Sequence, residues 1–310
     1  MKGDPQEDVI LAPLTTWKIG GPAEYLWLPE SEPELVTALQ WARERNLPVQ
    51  ILGRGSNILV SDEGIKGLVI SLKEMMDNGA HFISKPDGTG ILEVPAGISL
   101  PRLSKLAAGH GYTGYEFYIG IPGTVGGAVT VNAGYGPGDE RQTANRCIEV
   151  RTLSSSGELT WNDYSKFKPV YRHTKLLDSG FIVTAARFAL KERAISRKIR
   201  EETAMHLELR RQRQPLSSPT AGSVFKATRQ GIPAAVFIEQ CGLKGTTIGG
   251  ARVSEKHANW IENIGGATAR DVMELIQLVK QEVLEKCRVE LDEEILFLAD
   301  DSTHERASFS

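Results

Sequence analysis

Six of the seventeen residues from Gly120 to Gly136 (GIPGTVGGAVTVNAGYG) are glycine. Backbone N–H groups in such a run are unshielded by side chains and can surround a phosphate or pyrophosphate. The competing reading is a pair of tight turns between strands. A second glycine-bearing turn, Gly53-Arg54-Gly55-Ser56-Asn57, follows an apolar stretch ending at Leu52. It opens like a dinucleotide fingerprint, but Ile58 stands where a third glycine is needed. The residues beyond read as strand, with no helix to aim at a pyrophosphate, so a Rossmann fold is not expected. Taken alone, this turn fits plain β-structure as well as a ligand loop. The three cysteines (Cys147, Cys241, Cys287) lie far apart with no CxxC spacing. A reduced compartment follows, and no metal site is expected.

These segments need a scaffold, and the apolar periodicity supplies its outline. Ser31 to Arg45 reads as a helix with Ser31 as cap and Leu35, Ala38, Leu39 and Ala42 on one face. Pro48–Leu52 and Ile65–Leu72 read as strands, making a small α/β unit of the first 70 or so residues. Ile91–Pro95 reads as another strand, followed by a helix capped by Ser99 and stopped at Gly109 and Gly111. Alternation marks strands in Cys147–Leu159 and Phe181–Leu190. Lys191–Arg213 reads as a charged helix linking to a last domain. There Thr268, with Asp271 three residues on, caps a helix striped by Val272, Ile276, Val279 and Val283. Val289–Leu298 reads as an edge or returning strand. Over 310 residues, 36 Lys and Arg oppose 39 Asp and Glu, a net charge of −3. Nothing in that balance favours nucleic acid or an anionic membrane as partner. The charged N-terminus lacks a signal-peptide core, and no apolar run nears the ~18 residues of a membrane span, so a cytoplasmic protein is expected.

Three motifs occur in order along the first half: TTWKIGGPA (Thr15–Ala23), GRGSNILVSDEG (Gly53–Gly64) and the Gly120–Gly136 run. YRHT (Tyr171–Thr174), AGSVFK (Ala221–Lys226), GLKG (Gly242–Gly245), SEKHANWIEN (Ser254–Asn263) and LDEEI (Leu291–Ile295) follow. Together they resemble the UDP-N-acetylenolpyruvoylglucosamine reductase family, also called UDP-N-acetylmuramate dehydrogenases, over roughly Pro13 to Leu298. The resemblance implies an α+β fold. A two-lobed FAD-binding region of the vanillyl-alcohol-oxidase type (1–72 and 73–192) would precede a C-terminal α/β substrate-binding domain (193–300) with a returning strand. A tail, 301–310, would end the chain. It also implies NADPH as the hydride-donating co-substrate and reduction of UDP-N-acetylglucosamine enolpyruvate in peptidoglycan precursor synthesis. The FAD contacts would be Gly53, Arg54, Gly55, Ser56, Asn57, Gly120, Ile121, Pro122, Gly123, Gly126, Gly127, Asn132, Ala133 and Gly134. No His occupies Gly53–Asn57, where related oxidases attach the flavin, so FAD is expected to be non-covalent.

By the same resemblance Arg172 grips the substrate carboxylate, Ser223 donates a proton and Glu294 assists protonation. Tyr171, Lys244, Lys256 and His257 would contact the substrate, the last three near its diphosphate. Without the family, Arg172 reads as a surface arginine, Ser223 as a turn residue and Glu294 as one carboxylate beside Glu290, Asp292 and Glu293. Two positions depart from the family pattern. Thr174 replaces a usual Ser, and Ala227-Thr228 stand where Asn-Pro is common. The short stretch between Arg172 and Ser223 matches the subclass without a Tyr-bearing lid insertion. Two alternatives stay open: a related FAD-dependent oxidase of another small molecule, and a flavin-binding protein without turnover.

Overall fold

The computed structural model describes residues 4–75, 79–138 and 140–299, so the expected tail at 301–310 lies outside the described residues. The chain opens with an antiparallel pair, β1 (Gln6–Ile10) and β2 (Pro22–Trp27). Helix α1 (Glu32–Glu44) follows, with Ser31 Oγ accepting from Glu34 N. Its Leu35, Ala38 and Ala42 are buried against Trp27, Leu68 and Ile70. Strands β3 (Val49–Leu52), β4 (Ile58–Val60) and β5 (Ile65–Ser71) come next. The first sheet has the order β1-β2-β5-β3, with β4 outside it. Neither β1 nor β2 was expected. β1 is almost wholly exposed and Asp8 has φ 53, so no alternation marks it.

The second sheet is antiparallel throughout. It gathers β6 (His81–Ser84), β7 (Gly90–Pro95), β8 (Cys147–Leu153), β9 (Leu159–Asp163) and β10 (Ile182–Leu190) in the order β6-β7-β10-β8-β9. Cys147–Leu159 is thus not one strand. The chain turns at residues 154–158, where Gly157 has φ 87, and returns as β9. Helix α2 (Leu100–Gly109) begins after Ser99 as expected, but the serine side chain makes no capping bond, and Leu100 N donates instead to Gly123 O. Inside the glycine run lies a short helix, α3 (Val125–Thr130), that the sequence did not suggest, with Thr124 Oγ1 accepting from Gly127 N. A Cβ on Gly126 would sit 3.0 Å from Ala96 Cβ, so this glycine lets α3 pack closely on the loop after β7.

Helix α4 (Ser196–Arg213) starts five residues later than expected. Beyond it come α5 (Ala234–Gln240), a small sheet of β11 (Thr247–Ile248), β12 (Ala251–Val253) and β13 (Ile261–Asn263), and α6 (Ala269–Cys287). The Thr268–Asp271 capping box is present, and Val272, Ile276, Val279 and Val283 are buried. Of Val289–Leu298 only β14 (Leu296–Leu298) is strand, paired parallel to β4. Upstream of it Glu293 makes a single bridge to Phe225, too little pairing for a longer strand. β14 therefore carries the end of the described chain back to the first lobe. Two more contacts bind these parts. Trp17 Nε1 donates to Ile261 O at 2.8 Å, and Asp62 accepts from Ala269 N (2.7 Å) and Arg270 N (3.0 Å) at the start of α6.

Candidate active site

Glu294 lies two residues before β14, and its peptide is held from both sides. Its N–H donates to Val224 O at 2.7 Å, and its carbonyl accepts from Asn57 Nδ2 at 3.0 Å. Ser223 precedes Val224 and bridges Trp260, so the segments bearing Ser223 and Glu294 lie side by side. Arg172 arrives from a turn in which Val170 bridges His173. Its φ of 55 is a left-handed conformation that residues with a Cβ seldom hold, and such outliers persist where surrounding contacts over-determine them. Arg172 Nε reaches Glu294 Oε1 at 2.5 Å and Nη2 reaches Gly134 O at 2.5 Å. Nη1 is buried without a partner. The guanidinium carbon stands 4.9 Å from the centre of the Tyr171 ring, whose hydroxyl accepts from Ala227 N at 3.3 Å. Burial lifts the Glu294 carboxyl above the usual range, against the downward pull of Arg172 and Lys226. Desolvation can outweigh the attraction of an ion pair taken out of water, which accounts for that direction.

Tyr171, Arg172, Ser223, His257 and Glu294 all line one cavity of about 1400 Å³. That exceeds the ~300–1,000 Å³ of pockets for single small ligands, so two ligands can share it. Its other end is formed by the glycine loops. Gly53, Arg54, Gly55, Ser56 and Asn57 line it, as do Ile121, Pro122, Gly123, Gly126, Gly127, Ala133 and Gly134. Ser56 Oγ donates to Pro122 O at 3.2 Å and ties the two loops together. A Cβ on Gly53 would come 3.0 Å from Thr124 Oγ1, and one on Gly123 3.0 Å from Ser56 Oγ. Two carbonyls of the 53–57 loop are taken: Gly55 O accepts from Thr16 N, and Asn57 O from Leu296 N. Among the described residues no protein acceptor takes the N–H groups of residues 53–57. A row of unclaimed N–H groups on a bare glycine backbone is a fitting cradle for a diphosphate.

Residues 23–162 match the family described as FAD binding domain, and residues 214–298 match UDP-N-acetylenolpyruvoylglucosamine reductase, C-terminal domain. The UDP-N-acetylenolpyruvoylglucosamine reductase of Synechococcus sp. (strain WH7803) is 39% identical over 290 residues, covering 94% of this chain and 92% of that one. That of Myxococcus xanthus (strain DK1622) is 41% identical over 292 residues, with 94% and 91% covered. The crystal structure of the Thermus caldophilus enzyme superposes with a TM-score of 0.79 at 33% identity, covering 96% of this chain and 99% of that one. The chain belongs to the UDP-N-acetylenolpyruvoylglucosamine reductase family. Its α+β fold is that of a two-lobed FAD-binding region joined to this family's C-terminal domain.

Not every residue expected from the family resemblance reaches the cavity. Gly120 does not line it; a Cβ there would meet Arg210 Cδ at 3.1 Å, so this glycine makes room for α4. Asn132 is 2% exposed and turns its amide inward to Val170 O and Ala144 N. Lys244 and Lys256 also lie outside the lining, their ammonium groups taken up by Glu239 and by Arg211 O respectively. His257 stays inside, and burial together with Lys244 pushes its pKa down, favouring the neutral ring. The sequence reading missed the wall made by α4 and the residue after it, which bring His206, Arg210, Arg213 and Gln214 to the cavity that Arg141 also lines. The arginine of Arg210 is largely desolvated and lies 5.8 Å from the Trp260 ring centre. Gln214 Oε1 is buried without a partner. A signal was present: Arg210 and Arg213 stand three apart in a helix, on one face.

Proposed function

We infer that this chain reduces UDP-N-acetylglucosamine enolpyruvate to UDP-N-acetylmuramate with NADPH and FAD, a step of peptidoglycan precursor synthesis. The observation that carries the reading is the meeting of Arg172, Glu294 and the Ser223 segment in the cavity that the glycine loops also line. When bound, FAD supplies the redox chemistry, taking a hydride from NADPH and passing it to the enolpyruvyl group. The protein must then manage charge and a proton. Adding hydride to an alkene conjugated with a carboxylate moves negative charge onto that carboxylate, and the adjacent carbon must be protonated. Arg172 lines the cavity and sets its positive charge beside such a carboxylate, while bonds from Nε and Nη2 hold the guanidinium in place. Ser223 gives the proton. Glu294, whose carboxyl burial lifts above its ordinary range, stands beside Arg172 to back that transfer.

We read residues 1–72 and 73–192 as the two FAD lobes and 193–300 as the substrate domain, in keeping with three sheets that each fall within one of these ranges, while a fourth, β14-β4, joins the last range to the first. The arginines of α4 give the substrate diphosphate a better partner than Lys244 or Lys256. No helix among the described residues is long and apolar enough to cross a membrane, and the three cysteines are free thiols, both in keeping with a cytoplasmic enzyme. The test is to reduce the purified yellow holoenzyme anaerobically with NADPH and then mix it rapidly with the UDP-linked enolpyruvyl sugar. Prompt return of the oxidised flavin spectrum is expected. A flavin that stays reduced refutes the reading, and so does flavin that remains with the polypeptide after acid precipitation for its non-covalent part.

A further inference from the structure

Three asparagine amides repeat one arrangement. Asn57 Nδ2 donates to Glu294 O at 3.0 Å, Asn132 Nδ2 to Val170 O at 2.8 Å, and Asn259 Nδ2 to Phe225 O at 2.8 Å. Each acceptor is a main-chain carbonyl at, or two residues from, one member of the catalytic group: Glu294 itself, Arg172 and Ser223. We propose that Asn57, Asn132 and Asn259 are positioning residues that set the backbone of Glu294, Arg172 and Ser223. The proposal rests on the reductase reading above.

The geometry at each site shows why an amide is used. Asn259 grips Phe225 reciprocally, because its Oδ1 accepts from Phe225 N at 2.9 Å while its own carbonyl accepts from Val224 N. The side chain thus acts as one more peptide unit pairing with the Ser223 segment, which only a group with both donor and acceptor can do. At Asn57 the parallel β4–β14 ladder, in which Leu296 N donates to Asn57 O, would next pair the Asn57 N–H with Glu294 O. The side-chain amide takes that carbonyl instead, and no protein acceptor among the described residues takes the Asn57 N–H. One residue therefore serves the cofactor loop with its backbone and the acid with its side chain. Asn132 has φ 47, a conformation asparagine tolerates better than most residues. Its Oδ1 accepts from Ala144 N, which fixes the amide that holds the Arg172 turn. Asn259 and Phe225 are 7% and 2% exposed, so losing that bond strands a buried carbonyl, whereas Val170 O, on an exposed residue, keeps a second donor in His173 N.

The experiment uses Asn57→Asp, Asn132→Asp and Asn259→Asp in the FAD-loaded enzyme. Each keeps the shape of the side chain and turns an acceptor toward the carbonyl. Oxidation of the reduced enzyme by the enolpyruvyl sugar is expected to slow on the order of ten- to hundredfold more than reduction by NADPH, the loss that follows from small misplacement of reacting groups. The deciding readout is a pair of double-mutant cycles. Asn259→Asp placed in Ser223→Ala, and Asn57→Asp placed in Glu294→Gln, should each change the oxidation rate by no more than about twofold, because the residue acted upon is already gone. Full multiplication of the two losses overturns the proposal, since damage to the fold at large would multiply. A loss of FAD affinity of about a hundredfold, read by flavin fluorescence on the apoprotein, overturns it at that position by showing that the amide serves the cofactor. Should the buried Asn259→Asp fail to fold, the half-exposed Asn57 cycle decides. Wild-type enzyme that the enolpyruvyl sugar does not oxidise overturns the reductase reading itself, whereas active wild type with equally active variants overturns only the role of the asparagines.

Discussion

Arg172 spends two of its three guanidinium nitrogens on Glu294 and on Gly134 O, and this fixes what each partner can do. Among the described residues no hydrogen bond anchors the Ser223 hydroxyl. Ser223→Ala is expected to leave NADPH oxidation fast and to slow oxidation by the substrate ~10²- to 10⁴-fold, the usual worth of a placed acid, with part of the rate restored in Ser223→Cys. Rapid mixing of each half-reaction checks this; a defect confined to NADPH oxidation assigns Ser223 to the nicotinamide. Glu294 gives the pH dependence. Its carboxyl is lifted by burial and drawn down by Arg172, so in the fold it keeps its proton above its ordinary 4.5 and loses it as pH rises through the lifted value. The substrate half-reaction should therefore decline on the alkaline side of that value. Arg172→Met removes the downward pull and should move the decline to higher pH while raising KM; a move to lower pH contradicts the assignment. The sequence made these three residues legible through motif order. It offered Asn57 and Asn132 only as cofactor contacts and passed over Asn259, because the carbonyls their amides hold come from segments 34 to 237 residues away.

Elements with strong periodicity and explicit caps, α1 and α6, stand where the sequence puts them. Elements without either went unseen: exposed β1, and α3, whose glycines argue against a helix until Thr124 caps it. Tertiary context also adds what periodicity cannot show. The Thr268–Asp271 box completes only part of the start of α6, and the next two N–H groups, of Ala269 and Arg270, are taken by Asp62 from another lobe. A carboxylate there meets both orphan donors and the positive end of the helix. Asp62→Ala is expected to cost about 1 kcal/mol in urea unfolding and Asp62→Asn less, as for other caps. Equal losses would show that the charge contributes nothing.

Across the whole molecule, the first lobe and the last domain share one core. Trp17 is fully buried among the apolar side chains of the C-terminal domain, and its carbonyl accepts from Asn263 Nδ2 while its indole donates to Ile261 O. No local pattern announces a bond spanning 244 residues, which is why the sequence reading saw separate lobes and not their union. Trp17→Phe leaves Ile261 O stranded and should cost about 1–3 kcal/mol. Calorimetry of wild type and variant should each show the first lobe and last domain melting together; two resolved transitions would refute the shared core. The pairing of β14 with β4 bears on time as well as space. Asn57 and Glu294 stand 237 residues apart, and a ribosome adding about 5–20 residues per second needs roughly 10–50 s to pass from one to the other. Throughout that interval the nascent chain carries the Gly53–Asn57 turn with no acid beside it. Competence for the reaction then arrives in a single late event, when the returning strand docks.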